Sequence, residues 1–106
     1  MIPDPSPPFE FEPSREIRER VRTLVDRATE QGLRDEAIEA FARIYYLLTM
    51  KPRKWGDPVR RYRNAQLTEY RGFHWELMCR YAVHDRVPIV FLIEITPLEE
   101  SPLYGT

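Results

Sequence analysis

The chain is poor in the residues that make ready-built chemistry: 106 residues include one cysteine, two histidines and four glycines. A single thiol, Cys79, excludes a disulfide framework and favours a reducing, cytoplasmic setting. Within an apolar strand-like stretch it reads as a small buried hydrophobe, not a nucleophile. His74 and His84 are the only histidines, and no Cys-x-x-Cys or His-x-x-x-His spacing exists, so no metal or other cofactor is expected. A glycine-rich phosphate loop and a nucleophile elbow are also missing. No apolar run approaches the roughly 20 residues a membrane span needs. The opening stretch, MIPDPSPPFEFEPS, has prolines and acids where a secretory signal has basic residues and then an apolar core. A soluble cytoplasmic protein is the expectation.

Charge of one sign is also lacking. The net charge of -1 gives no general attraction to nucleic acid, but its placement is uneven. Lys51, Arg53, Lys54, Arg60, Arg61 and Arg63 crowd into residues 51–63 beside a single acid, Asp57. Screening confines exposed charges to about 8–10 Å, so this local field counts for more than the sum. These six residues are a candidate phosphate footprint, with Trp55, Tyr62 and Tyr70 interleaved for base stacking. The competing reading is a solvated loop that balances acidic helices.

What is present is material for one core: 42% of residues are hydrophobic, enough at this length for one domain. Residues 1–8 form a proline-rich extended tail, and residues 9–106 a single domain. Phe9-Glu10-Phe11-Glu12 alternates as a short strand would. Ser14 caps a helix carrying Ile17, Val21, Leu24, Val25 and Ala28 at helical spacing, which ends near Gln31 with Gly32 as its left-handed cap. A second helix over 35–48 places Ile38, Phe41, Ala42, Tyr45 and Leu48 inward. The short link between them predicts an antiparallel hairpin. Lys51-Pro52 ends that helix, and residues 59–63 resume helical contact only weakly.

Residues 65–71 read as a strand with Gly72 at its end. Residues 73–96 then give two strand-like runs joined at His84-Asp85-Arg86. In the first run Trp75, Leu77, Cys79, Tyr81 and Val83 alternate with His74, Glu76, Met78 and Arg80. The second run, 87–95, is apolar nearly throughout, as expected of a central strand covered on both faces. The order strand, helix, helix, three strands implies an α+β fold, a helical hairpin on one face of a small antiparallel sheet with the other face partly open.

That order, the loop L-x-x-x-P-x-x-x-G-D-P over 48–58 and RYAVHDRVPIVF over 80–91 resemble the RelE/ParE toxin superfamily of type II toxin-antitoxin systems, across residues 9–104. The resemblance implies a RelE-like β-α-α-β-β-β domain, a cognate antitoxin protein as partner and, in the messenger-cleaving members, an endoribonuclease acting on ribosome-bound RNA. By position it assigns Arg71 to a catalytic basic site and Tyr104 to the C-terminal tyrosine. Glu69, Met78 and Leu98 stand where basic residues are expected, and Arg80 is the available substitute for Met78. Cleavage by the RNA's own 2′-hydroxyl needs fixed cations around the phosphorane and an acid and base, for which His74 and Glu76 are candidates on the Arg80 face. The missing cations point equally to a non-catalytic protein-binding member, such as a ParE-like inhibitor or a domesticated relative. A homodimeric interaction module built on an exposed sheet edge is the third reading.

Overall fold

The computed structural model describes residues 6–104; of the tail expected over residues 1–8, residues 1–5 lie outside the described residues. The first strand, β1 (Glu10–Phe11), is only two residues long. Ser14 then opens α1 (Arg15–Glu30), its hydroxyl accepting the Ile17 N–H at 3.1 Å, which satisfies one of the donors that every helix start leaves free. At the other end Gly32 takes φ +74°, and the Leu33 N–H returns to the Ala28 carbonyl at 2.7 Å. This left-handed cap reverses the chain into α2 (Arg34–Met50), which packs against α1 as the expected hairpin.

The inner face of α2 differs from the expected one. Ala37, Ala40, Ile44, Leu47 and Leu48 are buried, whereas Ile38 and Tyr45 are 44% and 56% exposed and Ala42 also faces water. Small residues carry the seam where the helix meets its neighbours. The large apolar residues of α2 by themselves mark a face about one position away from the one that is buried.

Pro52 ends α2 and begins a short α3 (Pro52–Trp55), a position where its missing N–H costs nothing. The following segment is β2 (Asp57–Tyr62), a strand and not a weak helical continuation. Every residue of β2 is exposed, so it has no buried side and none of the alternation by which a strand is recognised. Three strands follow: β3 (Leu67–His74), β4 (Leu77–His84) and β5 (Ile89–Pro97). The sheet order is β1-β5-β4-β3-β2, with β1 parallel to β5 and the other four an antiparallel meander. The fold is α+β, with one strand more than the sequence order predicted.

Two boundaries move. Trp75 adopts φ +56° and, with Glu76, makes a two-residue turn between β3 and β4, so Phe73 and His74 close β3 and do not open β4. Gly72 lies inside β3 for a packing reason: a Cβ there would come within 2.7 Å of the Trp55 ring. In β5, Phe91 and Ile93 are 48% and 42% exposed, so that strand is covered on one face only.

The covered face holds the core. Leu77, Cys79, Tyr81 and Val83 of β4 are fully buried against Leu24, Ala28, Ile44 and Leu48 of the helices. Burial pushes the Cys79 thiol up to about 12, which keeps it protonated. Trp55 stacks on Tyr81 at 5.3 Å and Tyr81 on Tyr70 at 5.4 Å, both nearly parallel. The Tyr81 hydroxyl donates to the Pro52 carbonyl and accepts the Gly56 N–H at 2.9 Å. Trp55 Nε1 donates to the Phe73 carbonyl at 3.2 Å. The α3 loop is thereby pinned to the sheet by rings and hydrogen bonds together.

Candidate functional site on the uncovered sheet face

Because Leu77, Cys79, Tyr81 and Val83 turn toward the helices, Met78, Arg80 and Ala82 turn the other way. Register then assembles the outer face. Arg71 lies opposite Arg80, Glu69 opposite Ala82 and Phe73 opposite Met78 on one side. Glu94, Phe91 and Thr96 lie opposite Arg80, Ala82 and Met78 on the other. A register shift between Arg80 and Tyr81 inserts Ile93 as an extra residue in β5. Such a bulge keeps Leu92 and Ile95 on the covered side while Ile93 and Glu94 both face out.

Arg80 is the centre of this face, and its charge is already matched. Its Nε donates to Glu94 Oε1 at 3.1 Å, and its Nη1 lies 3.6 Å from Glu69 Oε1. Tyr62 from β2 donates its hydroxyl to the same Glu69 oxygen at 3.0 Å, and Thr96 donates to Glu94 Oε2 at 2.9 Å. Glu69 is only 6% exposed although it sits on the open side. The Thr96 hydroxyl, then Arg80, hold the Glu94 carboxyl below the usual carboxylate range, while the bond from Glu94 holds the Arg80 guanidinium above its ordinary value. Around this polar strip Phe73, Phe91 and Ile93 present exposed apolar surface.

The sequence candidates separate. Arg71 and Arg80 come together across β3 and β4, and Arg71 is exposed and forms no ion pair among the described residues. Tyr104 lies elsewhere. After β5 the chain crosses the β3–β4 turn, where the Leu98 N–H meets the Glu76 carbonyl, and buries Leu103, whose carbonyl accepts Arg27 Nη1 at 3.2 Å. That anchors Tyr104 beside the end of α1, on the helical side.

His74 is also not on the Arg80 face. It pairs with fully buried Leu77 and lines a groove with Glu36, Glu39, Arg43 and Tyr46 of α2. Glu76 lies in the turn itself, in a separate groove with Glu99 and Glu100. The two-residue turn is the physical reason: it interrupts the alternation that a single continuous strand over 73–83 would have carried to His74 and Glu76.

The basic segment divides as well. Arg60 lies over the Tyr62 ring at 5.8 Å. Arg61 pairs with Asp85 at 3.4 Å, and Arg53 donates to the His84 carbonyl at 2.7 Å, fastening the loop to the end of β4. Lys51, Lys54 and Arg63 are exposed. Of the three aromatic residues offered as stacking surfaces, Tyr70 is buried and Trp55 is engaged with Tyr81; Tyr62 alone is exposed.

Glu94, Thr96 and the Tyr62–Glu69 bond were not singled out from the sequence. Their only local signal is a polar residue at alternate positions of an apolar strand, and the bulge at Ile93 shifts even that. Comparison of the chain with family models, curated proteins and solved structures found no match.

Proposed function

We propose that this is a binding protein of the toxin-like class, which uses its uncovered sheet face to engage a protein partner and performs no chemistry of its own there. The supporting observation is the state of Arg80. A cation that stabilises a phosphorane must offer unmatched positive charge where negative charge develops. Arg80 instead stands between two carboxylates. A phosphate that took the place of Glu69 on Arg80 would leave that buried carboxylate short of a cation, and one that took the place of Glu94 would still meet an arginine half neutralised by Glu69. A satisfied polar strip framed by Phe73, Phe91 and Ile93 has the anatomy of a protein interface, with apolar anchors around paired polar groups. In the terms of the resemblance, the partner is a cognate antitoxin or a ParE-type target.

One observation favours the endoribonuclease reading: Arg71, beside Arg80, is exposed and carries no ion pair among the described residues. The two readings part in one experiment. Tagged chain is used to capture partners from its host, and the purified chain is added to a translating extract. The expected result is a specific protein that co-purifies with the chain and with Arg71→Ala but is lost from the Phe73→Ser, Phe91→Ser double variant, while messenger RNA stays intact. Cleavage of ribosome-bound messenger that Arg71→Ala abolishes overturns the proposal in favour of the ribonuclease.

A further inference from the structure

The two edges of the sheet are guarded differently. On one side β2 carries Pro58, a register shift at Val59 and exposed Arg60 and Arg61, the devices that keep an edge from pairing. On the other side β1 covers only Ile89 and Val90 of a nine-residue strand. The Pro88 carbonyl accepts the Glu10 N–H at 2.6 Å, which fixes the backbone groups that face this edge as those of Pro88, Val90 and, by the two-residue period, Leu92. Past the bulge the Ile95 carbonyl faces the same way, and a side chain meets it: Arg20 Nε at 3.2 Å. Among the described residues no strand lies along this edge beyond Val90.

Beside that free stretch lies an almost wholly apolar cleft of about 260 Å³, lined by Ile17, Val21, Phe41, Ile44, Leu92 and Ile95. It opens where Pro13 carries the chain off the sheet into α1, and it has room for a large aliphatic or aromatic side chain. Arg20 at the edge forms no ion pair among the described residues. The lane also records what it accepts. In Phe9-Glu10-Phe11-Glu12 the two phenylalanines pack against the core while the two glutamates face water.

We propose that the free edge of β5 and its cleft are a docking site for an extended segment of a partner protein. The segment continues the lane of β1, exchanges backbone hydrogen bonds with Leu92, seats one large apolar side chain in the cleft and sets a carboxylate on Arg20. This is strand addition, in which main-chain bonds give affinity and alternate side chains give specificity. The apolar cleft, the Leu92 backbone left without a neighbouring strand among the described residues, and Arg20, hydrogen-bonded to the Ile95 carbonyl but without an ion pair among them, each select one feature of the same ligand. The site is on the helical side of the sheet, so its occupation leaves Phe73 and the rest of the uncovered face free; it does not rest on the function proposed above.

The test is a titration of the isotope-labelled full chain, followed by amide NMR, with the blocked peptide acetyl-Ser-Phe-Glu-Phe-Glu-Ser-amide and a control with alanine for both phenylalanines. The expected result is saturable shifts at the Leu92 and Ile95 amides and at least tenfold slower hydrogen exchange at Leu92. Affinity falls about tenfold or more for the alanine peptide and for Val21→Trp, which fills the cleft, and a few-fold for Arg20→Gln. Phe73→Ser leaves it unchanged, which separates this site from the uncovered face. Absence of saturable shifts, shifts centred on Phe73 and Phe91, or equal affinity for the two peptides overturns the proposal; the control peptide keeps this decisive even if Val21→Trp fails to fold.

Discussion

The two faces of one sheet, built from alternate residues of the same strands, do opposite things. Leu77, Cys79, Tyr81 and Val83 disappear into the helical layer, while Met78, Arg80 and Ala82 between them line a surface that no helix covers among the described residues. The inner face is closed by rings and apolar contacts, and the outer face by a strip of charges that satisfy one another. The difference teaches where stability and recognition lie: the inner face holds the fold, and the outer face, apart from buried Glu69 and Ala82, is organised while still reaching water.

Breaking the inner face has the largest expected effect. Leu77→Ala removes a fully buried side chain and is expected to cost about 2–5 kcal/mol, measured as a shift of the urea midpoint at unchanged slope. Gly72→Ala tests the ring stack: its Cβ would meet Trp55 at 2.7 Å, so overpacking is expected to cost about 1–3 kcal/mol and to change the Trp55 emission. A neutral outcome would mean that α3 is not pinned as described.

On the outer face, Arg80→Met strips the cation from Glu69. About 1–2 kcal/mol is expected, below the range for deeply buried pairs because a third of the Arg80 side chain is in water. Adding Glu69→Leu should recover most of the loss in a double-mutant cycle. Phe91→Ser with Phe73→Ser is expected to change stability by no more than about 0.5 kcal/mol per site while removing partner binding; a loss as large as that of Leu77→Ala would sink the contrast between the faces.

The smallest effect is a pH dependence. The folded-state pKa of Glu94 lies below its unfolded value, so its contribution is complete above the ordinary glutamate pKa and is lost as pH falls through the depressed one. Glu94→Gln should therefore lower stability slightly at neutral pH, leave the acid end nearly unchanged and so flatten the acid limb of the profile, as read from urea midpoints from neutral pH down through the acid range.

Much of the inner face was legible in the sequence because its signals are local. Ser14, Gly32 and Lys51-Pro52 mark helix ends by their own chemistry, and the spacing of Ile17, Leu24 and Ala28 or of Leu77, Cys79, Tyr81 and Val83 is a period readable from one strand or helix. The outer face was legible only in part. That Arg71 and Arg80 share it follows once the strands pair, but Glu69 and Glu94 matter through register with Arg80, which no single segment encodes. Trp75 misled for a related reason: an aromatic residue in an alternating run reads as strand, yet here it takes the left-handed conformation of a turn, and His74 and Glu76 leave the Arg80 face with it. Edge strand β2 was hidden because a strand with no buried side has no alternation to read.

The stack of Tyr70, Tyr81 and Trp55 gives the molecule an optical gauge of its own integrity. Light absorbed by the two phenols can pass to an indole about 5 Å from its nearer neighbour, so tyrosine emission from this trio is expected to be weakest while the α3 loop is seated. Trp75, at the far end of β3, has no such donor stacked on it among the described residues. Detachment of the loop before global melting would therefore appear as returning tyrosine fluorescence, without a label and without disturbing either binding surface.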